Sequence, residues 1–249
     1  MNDRKQGRRC AQTAEETKQL ILMTAGRMFC EQGYEKVSLR NISEAAGVSH
    51  SLIRHHFGSK ETIWYTVSDI LSSYMQTYIR GLIGEFPEDK PANIILYHFT
   101  MKLMAHMLVN PQPLQFIADA IRQEGKFFDY FMDTSGDFEQ IIQDSVEQHN
   151  KQNPGHQVDL WEIKWQVIYN SHAAISLKPL LNIVWEKENC SGDDALLKHW
   201  KLFNKKMIND LNIKPQDYIE PSNLKDLLLP IACDFSNPES CRDELHKFS

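Results

Sequence analysis

The sequence predicts an all-α protein, with a small basic trio of helices at the N-terminus and a larger acidic helical body after it. Three observations carry this expectation. Apolar residues recur at three and four positions almost everywhere, and no alternating Val/Ile/Thr-rich run bounded by turns appears. The 249 residues suffice for one large or two modest domains with a sizeable core. Charge is unevenly spread: residues 1–60 hold ten Lys/Arg against six Asp/Glu, and residues 61–249 hold seventeen against twenty-seven, within a net charge of −6. That split suits a basic module that meets a polyanion and an acidic body that faces solvent.

The first helix is expected to start at Thr13, where Thr13 and Glu16 can form a capping box worth on the order of 1 kcal/mol. Ile21, Ala25, Met28 and Phe29 line one face, and Gly33 stops the helix in the left-handed conformation. Ahead of it, Arg4, Lys5, Arg8 and Arg9 form a basic arm, of a kind that enters a minor groove or simply adds nonspecific attraction. Ser38 caps a short helix from Leu39 to Ala46, with Leu39, Ile42, Ala45 and Ala46 inward and Arg40 and Asn41 outward. Gly47 reverses the chain, Val48 plugs the turn, and Ser49 caps a third helix that runs to about His56.

A fourth helix follows from Lys60 to about Ile83 and ends at the acidic, Pro-containing "GEFPEDKP". Further helices are expected over 92–109, 112–123, 126–132, 137–152, 158–187 and 194–210, with Pro179 placed to kink the long one. The tail from Asn212, with Pro215, Pro221, Pro230 and Pro238, reads as loose apart from a short helix at "SNLKDLLL". The domain reading is therefore 1–60 for arm and helix-turn-helix, with the recognition helix at about 49–56, then 61–211 for the helical body and 212–249 for an extension.

On the third helix, Val48, Leu52, Ile53 and Phe57 form the stripe that seats inward. His50, Ser51, Arg54 and His55 are left outside. A major groove admits one helix, Arg pairs bidentately with guanine, and Ser and His donate or accept at several base edges. The clustered histidines also raise metal binding, but no Cys, Asp or Glu within the helix completes a ligand set, and Arg54 would repel a cation. A merely solvated polar face would leave the tight helix-turn-helix punctuation unexplained. His56 lies toward the buried side and reads as structural.

The stretch "VSLRNISEAAGVSHSLIRHHFGSKETIW" resembles the DNA-binding signature of the tetracycline-repressor (TetR) family of bacterial transcription regulators. The pattern is carried by Ile42, Ala46-Gly47-Val48-Ser49, His56-Phe57 and Ser59-Lys60-Glu61, and the likeness covers roughly residues 14–64. Ser43 stands where the family usually has alanine, and Arg54 where it often has tyrosine. The resemblance implies that Arg40, His50, Ser51 and Arg54 approach base edges, while Ser38, Ser49 and His55 favour phosphates. Lys60 matches the family's lysine, which with the first amides of the fourth helix would hold one backbone phosphate.

For the body, the resemblance implies a helical domain that dimerises through its last long helices, here about 158–187 and 194–210, and often encloses a small-molecule pocket. Trp161, Trp165, Ile168, His172 and Ile175 recur as one stripe. Met101, Met104, Phe128, Trp161, Trp165, Tyr169 and His172 are the candidate lining for an apolar or aromatic ligand, against the plain alternative of core packing. Leu181, Val184, Trp185, Leu196, Leu197, Trp200, Phe203 and Met207 are the candidate dimer residues, again against intrachain packing.

Five scattered cysteines without C-x-x-C spacing suggest reduced thiols rather than disulfides or zinc, and no apolar run reaches the ~18 residues of a membrane span. A cytoplasmic protein without cofactor is expected. No Gly-rich phosphate loop, nucleophile elbow or H-E-x-x-H suggests an enzyme. The reading is a dimeric regulator, more a repressor than an activator, that binds a double-stranded DNA operator and answers to a small molecule. Its rival is the same fold as a DNA-bound scaffold controlled by a protein partner or by nothing.

Overall fold

The structure, a computed structural model, describes residues 3–87, 89–123, 127, 130, 138–185, 192–231 and 233, and for 3–13, 138 and 139 the backbone alone. The described elements are α1 (Asp3–Gln32), α2 (Leu39–Ala46), α3 (His50–Phe57), α4 (Lys60–Gly84), α5 (Ala92–Val109) and α6 (Gln112–Arg122). They continue as α7 (Phe138–Gln152), α8 (Leu160–Ser176), α9 (Lys178–Trp185) and α10 (Asp193–Asp210), followed by single 3-10 turns at Pro215–Asp217 and Leu224–Leu227. The all-α expectation holds, with no strand among the described residues. No helix among them is long and apolar enough to cross a membrane.

The chain divides into two compact units, the first from residues 1–75, 115–134 and 232–249, the second from 76–114 and 135–231. In the first unit Ile21, Leu22, Ala25 and Phe29 of α1 meet Ile42 of α2, Ile53 of α3 and Ile63, Trp64 and Val67 of α4. Phe116 and Ala120, one turn apart on α6, join that core. The Trp64 indole stacks on both Phe116 and Phe127, with ring centroids 4.8 and 4.2 Å away.

Two expectations about this unit are corrected. The α1 backbone is helical from Asp3, so Thr13 lies inside the helix rather than capping it. Residues 3–12 contain Arg, Lys, Gln and Ala with no proline, so only Gly7 opposes upstream extension appreciably. Ala45, expected inward, is exposed, because Leu39, Ile42 and Ala46 together set the inward face and Ala45 lies about a quarter-turn round the helix from their centre.

In the second unit α5 is the central element, and its buried Leu96, Tyr97, Met101, Met104 and Leu108 are surrounded by α7, α8 and α10. The predicted helix over 158–187 is two helices that part at Leu177, with Pro179 in the first turn of α9, where its missing N–H costs nothing. α10 ends in a Schellman motif: Ile213 N–H donates to Ile208 C=O, Asn212 N–H donates to Asn209 C=O, and Asn212 takes the left-handed conformation at φ 49°.

Residues 213–231 beyond it are docked rather than loose. Tyr97 hydroxyl donates to Asn204 Oδ1 at 2.7 Å and accepts from Ile219 N–H at 3.0 Å, while Asn204 Nδ2 donates to Ile219 C=O at 3.1 Å. Tyr78 hydroxyl accepts from Leu229 N–H, and Leu224 is buried. Side chains from α4, α5 and α10 thus satisfy the irregular backbone that proline-rich composition left without partners of its own.

Candidate nucleic-acid interface

Local hydrogen bonding explains why α2 and α3 cross so tightly. Ser38 Oγ accepts from Asn41 N–H and Asn41 Oδ1 accepts from Ser38 N–H, a reciprocal cap at the start of α2. Gly47 holds φ 66°, ψ 27°, a left-handed conformation that a Cβ would strain. Ser43 Oγ donates to Val48 C=O at 2.6 Å and braces the turn from inside. An alanine at position 43 could not make that bond. Ser49 Oγ accepts from Leu52 N–H at 3.2 Å and caps α3.

On α3, Ile53 is buried and Val48, Leu52 and Phe57 are half-buried, so the helix is anchored on the side the sequence indicated. His50, Ser51, Arg54 and His55 lie exposed together on the opposite side, and the first turn carries no acidic residue. His56 is half-buried, and burial first, then neighbouring His55, lowers its pKa below the ordinary histidine value. Protonation of His56 is thereby disfavoured, in keeping with a structural place.

Five of the predicted phosphate- and base-contacting residues are already engaged by the protein, Ser51 among them through its hydroxyl, 3.0 Å from that of Ser49. Ser38 and Ser49 spend their hydroxyls as caps, though both stay exposed. Arg40 on α2 pairs with Glu44 one turn on, Nε to Oε1 at 2.8 Å, in an exposed ion pair that solvent screens. Lys60 is the most fully engaged. Its Nζ donates at 2.9 Å to both Tyr34 C=O and Val37 C=O and lies 3.8 Å from the Tyr34 ring centroid. The ammonium therefore braces the α1–α2 turn, with two of its three N–H groups directed inward. Desolvation lowers its pKa despite nearby Glu35 and Asp119.

Sequence reading missed Ser43, Asn41 and above all Asp119. Asn41 was legible, since a polar side chain three residues after a capping serine is a known reciprocal partner. Asp119 Oδ2 accepts from Tyr34 N–H at 2.7 Å across 85 residues of chain, and no local pattern announces such a bond.

The candidate effector residues do not come together. Met101 and Met104 are fully buried in the core of the second unit. Trp161, Trp165 and Tyr169 are exposed on the outer side of α8, His172 is half-buried against Ser176, and Phe128 lies outside the described residues. The inner side of α8 is the aliphatic stripe of Leu160, Ile163, Val167 and Ala174. Among the clefts of this unit, one of about 380 Å³ lies by Asp159, Gln166 and Lys206 and another of about 580 Å³ by Lys90, Asn153 and Lys214; neither is lined by that set.

Of the candidate dimer residues, Leu196, Trp200, Phe203 and Met207 of α10 are buried within the unit, as the packing alternative had it. Among the described residues no three His, Cys, Asp or Glu gather as a metal would require.

The comparisons with known proteins bear on the same segment. A profile of the family described as "Bacterial regulatory proteins, tetR family" matches residues 21–64. The HTH-type transcriptional repressor AcnR of Corynebacterium glutamicum is 42% identical over 52 residues, 21% of this chain and 28% of that protein. The HTH-type transcriptional regulator AcrR of Shigella flexneri is 34% identical over 82 residues, 33% of this chain and 38% of that protein. The chain thus spans well under half the length of the curated relatives it matches. Among solved structures, the TetR family transcriptional regulator PfmR from Thermus thermophilus superposes with a TM-score of 0.50 at 19% identity, over 76% of this chain and 97% of that one. At that identity the likeness concerns the fold.

Proposed function

We propose, with residues 21–64 matching the TetR family model, that the chain is a dimeric, effector-responsive transcriptional regulator of that family, a repressor that reads a palindromic operator. The carrying observation is the exposed group His50, Ser51, Arg54 and His55 on a helix whose opposite side is anchored by Ile53. Arg54 and His50 read base edges, with Ser51 beside them and Arg40 released from its screened pair with Glu44. Ser38, Ser49 and His55 sit where phosphates pass and set the register. Cytoplasmic location follows from this role.

A second copy of the chain is the proposed partner of the outer face of α8 and α9. Trp161, Trp165 and Ile183 are 63%, 67% and 63% exposed there, beside Ile168, Leu180 and Val184. So many large apolar side chains on consecutive helices exceed the scattered exposure usual on a monomer. The outer side of α10 carries Lys201, Leu202 and Lys205 and contributes less apolar surface. A two-fold dimer sets two reading heads about one helical turn apart, ~34–36 Å.

The effector is a small apolar or aromatic molecule. By linkage it weakens DNA binding only if it prefers a dimer whose heads are wrongly spaced. The dispersal of the candidate lining supports a second reading, in which a protein partner takes the effector's place or the DNA-bound protein answers to no ligand. Selection of random duplex DNA by the purified protein tests the DNA reading, and a palindromic motif is the expected result. A folded protein that enriches no sequence would sink the proposal. Thermal shift against a metabolite panel separates the two modes of control, since a ligand at 100 times its Kd adds ~2.7 kcal/mol of stability.

A further inference from the structure

Asp119 is a carboxyl-bearing residue only 6% exposed, on α6, in the first unit. Its neighbours on the inner side of that helix, Phe116 and Ala120, are ordinary core residues. Burying a carboxylate among them is costly, and an apolar residue of similar size would close the core without the penalty. Packing alone therefore gives no reason for an acid here.

What the carboxylate touches gives one. Oδ2 accepts from Tyr34 N–H at 2.7 Å, and Arg122 approaches Oδ1 at 3.4 Å. The approach is so close that a Cβ on Gly33 would stand 2.6 Å from Oδ1, and Gly33 itself holds φ +83°. The same Tyr34 residue is held at its other end, where its C=O accepts from Lys60 Nζ, which also donates to Val37 C=O. Residues 34–37 form the turn between α1 and α2, and the next residue, Ser38, caps α2. α6 and α4 thus grip the one segment that sets where α2 begins, and α3 is tied to α2 through Gly47 and the Ser43–Val48 bond.

We infer that Asp119 is a positioning residue for DNA reading, fixing α2 and α3 against α6 through the Tyr34 peptide; the inference rests on the DNA-reading role proposed above. Base-edge contacts demand that donors and acceptors meet within hydrogen-bond tolerance, whereas attraction to phosphates tolerates misplacement. Loss of Asp119 is therefore expressed in sequence-specific binding and not in general affinity for DNA.

The experiment compares full-length wild type, Asp119→Ala and Asp119→Asn. Each is titrated with the duplex enriched by the wild-type protein and with a random duplex at the same stated salt, with exchange of the Tyr34 amide as a direct reading of the bond. Asp119→Ala is expected to lose roughly tenfold or more on the enriched duplex, the scale of one hydrogen bond to a charged group. It should bind the random duplex as wild type does, with faster exchange at Tyr34. Asp119→Asn, which keeps an acceptor oxygen, should recover most of the loss. An Asp119→Ala protein that fails to fold, that binds both duplexes as wild type does, or that loses equally on both overturns the assignment, as does an Asn variant no better than Ala. Wild type that prefers no sequence refutes the DNA-reading proposal instead, and that result is known before any variant is made.

Discussion

Replacing Lys60 by methionine keeps the aliphatic stem and removes the ammonium that joins Tyr34 C=O, Val37 C=O and the Tyr34 ring. A hydrogen bond to a charged group contributes about 1.5–3 kcal/mol net, and a cation–π contact about 0.5–2 kcal/mol. Lys60 is half-buried, so water partly replaces it at the two carbonyls. An expected loss of ~2–4 kcal/mol in the stability of the first unit follows from the lower part of those ranges. Urea unfolding combined with amide exchange localised to α1–α3 reads this directly. The alternative, a phosphate contact, makes a different prediction: the slope of log affinity against log salt would fall by about 0.9 per reading head, with stability untouched. A Lys60→Met protein with the wild-type urea midpoint and that reduced slope would refute the bracing role.

Other outcomes follow from the same geometry. Arg54→Ala should relax sequence preference at one operator position by about 1–3 kcal/mol, seen by repeating duplex selection with the variant. Trp165→Lys with Ile183→Glu should leave the fold intact and yield monomers in sedimentation, since both side chains are exposed on the proposed dimer face; unchanged dimers would move the interface elsewhere. Tyr97→Phe leaves Asn204 Oδ1 and Ile219 N–H without their shared hydroxyl and should cost ~1–3 kcal/mol, with proteolysis accelerated in residues 212–231. Burial lowers the pKa of His106 to about 4 from the ordinary 6.5. The unfolded chain then binds the extra proton between those values, so stability should fall as pH drops from about 6.5 to about 4, by up to ~3 kcal/mol, and His106→Gln should flatten that limb.

Much of the reading head was legible because its determinants are local. Capping serines, a left-handed glycine and the spacing of Ile42 and Ile53 act within one turn of the chain, so α2, α3 and the outward His50, Ser51, Arg54 and His55 could be read from order alone. Helix bounds such as 92–109 and 194–210 came close for the same reason. The bracing role of Lys60 was not legible because its partners are the carbonyls of Tyr34 and Val37, 26 and 23 residues upstream, and a cation at a helix start resembles a phosphate ligand from its own neighbourhood.

The body was less legible where a helix is apolar on two sides. In α8 both the aliphatic row and the aromatic row have helical spacing, and periodicity cannot say which faces the core. α5 decides it by offering Met101, Met104 and their neighbours to the aliphatic row, which leaves Trp161 and Trp165 outside. The docking of residues 212–231 was equally hidden, since it depends on the hydroxyls of Tyr78 and Tyr97, more than a hundred residues away. Sequence by itself determined the helical class, the helix-turn-helix and the residues it exposes, because short-range backbone chemistry sets them. Which apolar faces are spent on the core, and which polar groups grip distant backbone, only the tertiary structure decided, because those energies arise between segments that order along the chain does not bring together.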